Sequence, residues 1–115
     1  MRECYGIYAI EAYRFHARTV AMGSAAISAL TRAERKDFMA ASEAIGQMER
    51  MANAGEMLKC LRMVYCEDAG RELRRGEISE RVTRASLIIP MSERQIYQNL
   101  KKARSIFVEL RDLRK

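Results

Sequence analysis

The segment 90–96, Pro-Met-Ser-Glu-Arg-Gln-Ile, constrains the fold of this chain more than any other stretch. Pro90 is the sole proline. Its ring disfavours helical backbone at Ile89, so a helix running up to it must stop near Ile88. Two residues further on, Ser92 can cap a new helix by accepting from the Gln95 backbone amide, while the Gln95 side chain reaches back to the Ser92 N–H. Met91 and Ile96 stand at the two positions of a hydrophobic staple across that cap. A stop and a start this close place two helices around a short turn, the second running from Ser92 to about Asp112.

The remainder also reads as helix, with abundant Ala, Glu, Arg, Met and Leu, all good helix formers. Residues 3–29 make one long predicted helix with a bend expected at Gly23-Ser24. Its apolar positions Ile7, Ile10, Tyr13, Ala17, Val20, Ser24 and Ile27 recur by threes and fours. Thr31 and Glu34 form a second capping box, opening a helix to about Met51 with Phe38, Ala41, Ile45 and Met48 on one face. Asn53-Ala54-Gly55 breaks it. A third helix over 56–68 turns Met57, Leu58, Leu61, Val64 and Tyr65 inward, and Gly70 suits the left-handed position beyond its end. The stretch 70–76, GRELRRG, is expected to be an exposed basic loop. A fourth helix over 77–88 carries Ile78, Val82 and Ala85 inward, with Ile89 following. The prediction is an all-α fold of about five helices. A long N-terminal helical pair in 1–57 acts as scaffold and oligomerisation region, and 58–115 holds a helix-turn-helix, the two forming one compact unit.

The net charge of +6 is unevenly placed. Residues 1–57 carry seven Lys/Arg against seven Asp/Glu, and 58–115 carry fourteen against eight. All the excess lies in the C-terminal half, which suits a polyanion partner. Hydrophobic content of 49% is too high for a disordered tail. The uncharged run 20–30 is shorter than the roughly 20 residues a membrane helix needs, and no secretory signal precedes it, so no membrane partner and a cytoplasmic location are expected. Cys4, Cys60 and Cys66 are odd in number and lack C-x-x-C spacing, which fits reduced, partly buried thiols.

On a wheel of about 100° per residue, the last helix puts Ile96, Leu100, Ala103, Phe107 and Leu110 in one arc. Arg94, Gln98, Lys101 and Ser105 fall opposite, with Lys102 and Gln95 at the edge and Tyr97 on the flank. A recognition helix needs this arrangement, because its N-terminal side chains meet base edges in the major groove. Arg and Lys donate to guanine, and Gln pairs with adenine. Arg94, Tyr97, Gln98 and Lys101 are therefore the candidate base readers. Lys102 and Arg104 follow them, Arg81 and Arg84 lie on the preceding helix, and Arg71, Arg74 and Arg75 lie in the loop. These are candidate phosphate contacts, with Ser92 at the helix start. The same pattern also describes an ordinary charged surface helix.

Residues 84–104, RASLIIPMSERQIYQNLKKAR, resemble the end of a sigma-factor-type, region 4-like helix-turn-helix, as found in small phage-encoded regulators of late transcription. The matching residues are Ser92, Arg94, Gln95, Ile96, Tyr97, Leu100, Lys101, Lys102 and Ala103. Two features depart from the family pattern: Pro90 stands where the turn usually has Gly, and the first helix is longer. The resemblance implies a sequence-specific regulator of transcription on double-stranded DNA, with RNA polymerase as a candidate partner. Paired half-sites would make it a homodimer, with the apolar N-terminal helix as interface. The alternatives are a small terminase-like subunit of phage DNA packaging and a helical adaptor that binds an acidic protein.

No catalytic constellation is visible, so the chain is not read as an enzyme, and neither cofactor nor metal is expected. His16 is the only histidine and lies in an aromatic-rich helix without a partner motif, which fits a structural role. No phosphate-binding glycine loop occurs. The eight Met fit core filler, although Met39, Met48, Met51 and Met57 would also soften a protein-contact surface.

Overall fold

A computed structural model describes residues 3–113, and the side chain of Cys4 lies outside the described residues. The fold is all-helical, with six helices and no strand among the described residues. They are α1 (Glu3–Met22), α2 (Ser24–Ser28), α3 (Arg32–Glu49), α4 (Ala54–Cys60), α5 (Glu77–Ser86) and α6 (Glu93–Leu110). α4 continues directly into a π-helical segment, Leu61–Cys66. The expected bend at Gly23 is a full break, because Gly23 has φ 99, a backbone angle only glycine adopts freely.

Both capping boxes form as the sequence dictates. Thr31 Oγ1 accepts from the Glu34 amide at 3.2 Å, and the Thr31 N–H donates to Glu34 Oε1 at 2.8 Å. Ser92 accepts from the Gln95 amide at 3.2 Å, and the Ser92 N–H donates to Gln95 Oε1 at 2.9 Å. The end of the third predicted helix differs. Asp68 (φ 51), not Gly70, takes the left-handed backbone there. Gly76 (φ 79) does so at the start of α5.

One apolar core runs through both halves of the chain. Ala9, Tyr13, Ala41, Ala44 and Met48 share it with Met57, Val64, Val82, Ile96, Leu100 and Phe107. The expected inward faces of α3, α4, α5 and α6 are the buried ones, with Ile45, Leu58, Ile78 and Leu110 at the margin. α1 departs from expectation. Ile7 and Val20 are exposed, while Gly6, Ala9, Ala12, Tyr13, Arg14 and Thr19 are buried. Its inward face is built on small residues that let neighbours approach, and the Arg104 side chain lies over Gly6. Bulky-residue periodicity therefore found Tyr13 and Ile10, which lie in or against the core, and misplaced Ile7 and Val20. His16 is half-buried, stacked on Phe38 at 4.6 Å and within 2.8 Å of Ser42 Oγ. Cys60 and Cys66 are free thiols, and burial pushes the Cys66 thiol up to about 11.

The π segment ends in a set of backbone carbonyls that a helix cannot satisfy itself. Arginines from distant elements satisfy them, Arg14 and Arg81 chiefly, with Arg18 donating to the Ala69 carbonyl at 3.2 Å. Arg14 of α1 donates to the carbonyls of Tyr65 (2.6 Å), Glu67 (3.2 Å), Asp68 (2.8 Å) and Arg71 (2.5 Å). Arg81 of α5 donates to those of Val64 (3.1 Å) and Glu67 (2.9 Å). Burial, and after it the charge of Arg81, lowers the Arg14 pKa. Glu77 supplies the compensating carboxylate through Arg71 and Arg81.

Candidate nucleic-acid interface

α6 is held in place from beneath. Ile96, Leu100 and Phe107 are buried, and each contributes about 1.5–3 kcal/mol by leaving water. Tyr13 Oη donates to the Ala103 carbonyl at 2.5 Å, fixing α1 to the middle of α6. Asn99 Nδ2 donates to Cys60 Sγ and Met91 Sδ, each at 3.8 Å, tying the start of α6 to α4 and to the turn before it. α4 with its π extension, α5 and α6 pack against one another as a three-helix unit, and α5 leads into α6 through residues 87–92.

The outward face of α6 is open. Arg94, Tyr97, Gln98, Lys101 and Lys102 are all exposed. Among the described residues, the side chains of Arg94, Gln98, Lys101 and Lys102 have no hydrogen-bond or ion-pair partner. Arg75 and Arg84 are likewise exposed and unpartnered among the described residues. Arg74 is exposed, with only a loose 3.7 Å approach to Glu77.

Four other candidates are occupied by the protein itself. Arg81, expected on the surface, is buried between Glu77 and two carbonyls, because its guanidinium closes the π segment; it is not presented to a phosphate. Arg71 makes a two-pronged pair with Glu77 at 2.9 and 2.5 Å, so the loop 70–76 is partly folded back. The Arg71 guanidinium, the Arg74 amide and then Arg81 hold the Glu77 carboxyl well below the usual carboxylate range, against the effect of its burial. Arg104 is half-buried and donates to Tyr65 Oη at 2.6 Å. The Ser92 hydroxyl is engaged with Gln95.

Sequence reading missed two features. Arg14 has no local signal, since its carbonyl partners lie more than 50 positions away. Leu87 and Ile88 stand out in solvent before α6, 83% and 66% exposed; three apolar residues in a row at a turn cannot all face one core. Elsewhere, a groove of about 430 Å3 between α1 and α3 is lined by Tyr8, Phe15, Glu11, Glu34, Asp37 and Arg18. Its carboxylates make it unsuited to a polyanion. Among the described residues no group of three or more His, Cys, Asp or Glu is arranged to hold a metal ion, and no helix is long and apolar enough to cross a membrane. No protein-family model, curated protein or solved structure matches this chain.

Proposed function

We propose that the protein is a non-catalytic, sequence-specific DNA-binding protein that lays the N-terminal half of α6 in the major groove and acts as a regulator of transcription. The observation that carries this reading is the outward face of α6. Arg94, Gln98, Lys101 and Lys102 project from a firmly seated helix with no partner of their own among the described residues. Binding through these four long polar side chains costs their own rotamer freedom, but no backbone ordering and no ion pair that must be broken first. Arg94, Gln98 and Lys101 are the base readers, Tyr97 assists from the flank, and Lys102, Arg84, Arg75 and Arg74 hold phosphates. Arg81, Arg71 and Arg104 are left out of the contact set.

The test is selection from a pool of random duplexes across a salt series, with wild type beside Arg94→Ala/Lys101→Ala. One selected sequence motif, lost in the variant while a weak salt-sensitive affinity remains, establishes base reading by α6. No binding at low salt leaves the basic half to an acidic protein partner.

Dimerisation through the N-terminal helices belongs to the same proposal. Support comes from α2, in which no residue is buried, and from exposed Val20 and Met22 beside it. Light scattering at micromolar concentration that gives a monomer, with and without DNA, removes the dimer and keeps the DNA reading.

A further inference from the structure

The connection from α5 to α6 exposes two large apolar side chains yet is not slack. The N–H groups of Ile88 and Ile89 both donate to the Ala85 carbonyl, at 3.0 and 2.8 Å. The Met91 N–H donates to the Ile89 carbonyl at 2.7 Å. Ile89 is plugged into the core, and Pro90 fixes its own φ. Thr83 Oγ1 donates to Glu93 Oε1 at 3.2 Å and closes the base of the turn. The Leu87 N–H donates to the Arg84 carbonyl at 3.1 Å, so Arg84 stands one helical turn before Leu87 and Ile88 on α5, and Arg94 follows in the first turn of α6. Neither arginine has a partner among the described residues.

We propose that Leu87 and Ile88 form a second reading element, packing on the C5-methyl groups of thymines at the edge of the site while Arg84 holds the neighbouring phosphate. The proposal rests on the DNA reading of α6. Charge complementarity selects the occupant. An apolar pair one turn beyond an unpartnered cation suits a surface that is both anionic and methyl-bearing, and the thymine edge in the major groove is such a surface. A purely apolar partner would bury the Arg84 guanidinium without compensation.

The experiment uses the duplex that wild type selects, plus copies in which each thymine in turn is replaced by uracil, deleting the methyl alone. Affinity is measured for wild type, Leu87→Ser/Ile88→Ser and Arg94→Ala/Lys101→Ala, with the thermal midpoint of each as a folding control. Wild type is expected to lose about fourfold at one or two uracil positions, the worth of one buried methyl-sized group. Leu87→Ser/Ile88→Ser is expected to show a similar loss on the thymine duplex and no further loss at those positions. Equal binding by this variant and wild type, while Arg94→Ala/Lys101→Ala loses selection, overturns the turn inference and leaves the α6 reading standing. Uracil insensitivity of wild type overturns it too, as does a turn variant that still responds to uracil. Absence of any duplex binding by wild type at low salt overturns both readings.

Discussion

Two groups of cations in this molecule have opposite fates. Arg14 and Arg81 are enclosed, their guanidiniums filled with the carbonyls that close the π segment and, for Arg81, with Glu77. Arg94, Lys101 and Lys102 stand in solvent on α6 with no partner among the described residues. A cation enters the interior only where acceptors already converge, since an uncompensated buried charge costs several kcal/mol. A cation stays outside, available to a ligand, where the helix beneath it is held by contacts on its opposite face and no acceptor converges on the cation itself. Sequence charge counts treat these groups alike; acceptor geometry separates them.

The largest expected effect falls on the enclosed group. Arg14→Met should lower unfolding free energy by about 3–5 kcal/mol, because the Tyr65 and Arg71 carbonyls lose their donor and those of Glu67 and Asp68 lose one of two. Urea denaturation measures this, and a loss under about 1 kcal/mol would mean that water replaces the guanidinium without cost, erasing the contrast. Arg94→Ala/Lys101→Ala should do the reverse. Stability should move by less than about 0.5 kcal/mol, while discrimination for the selected duplex falls by about 2–4 kcal/mol. A large stability loss in this variant would place α6 with the structural group. Arg75→Ala and Arg84→Ala should weaken all duplexes alike and reduce the salt slope by about one each; the same test on Arg71→Ala should show no change in slope, since that guanidinium is already paired with Glu77.

His16 gives the smallest effect and an intermediate case. Burial lowers its pKa below the ordinary 6.5. As the pH falls through 6.5 the unfolded chain takes up a proton that the folded chain refuses, so stability declines with acid until the lowered folded-state pKa is reached. Comparing unfolding free energies at pH 7 and pH 5 in wild type and His16→Phe checks this; an unchanged slope in the variant would shift the acid sensitivity to other groups.

Local chemistry was legible, and long-range chemistry was not. Thr31 with Glu34 and Ser92 with Gln95 were readable because a capping box is completed within four residues. The inward faces of α3 and α6 were readable because bulky apolar residues dominate them. On α1 the inward face rests on Gly6, Ala9 and Ala12, whose smallness carries no hydrophobic period. Arg81 looks like a surface cation until the Val64 and Glu67 carbonyls are brought beside it by the end of the π segment. The exposure of the α6 face was therefore legible, because it follows from periodicity, whereas the engagement of Arg71, Arg81 and Arg104 was not, because tertiary partners decide it.

The bond from Tyr13 to the Ala103 carbonyl joins positions 90 residues apart. At synthesis rates of roughly 5–20 residues per second, about 5–20 s separates the making of these two residues. α1 emerges from the ribosome first, yet two of its anchors, the π-segment carbonyls and α6, emerge much later. Throughout that interval α3 can cover part of α1, but Tyr13 lacks Phe107 and the Ala103 carbonyl, so the element richest in aromatic side chains waits until the end of translation for its last partners.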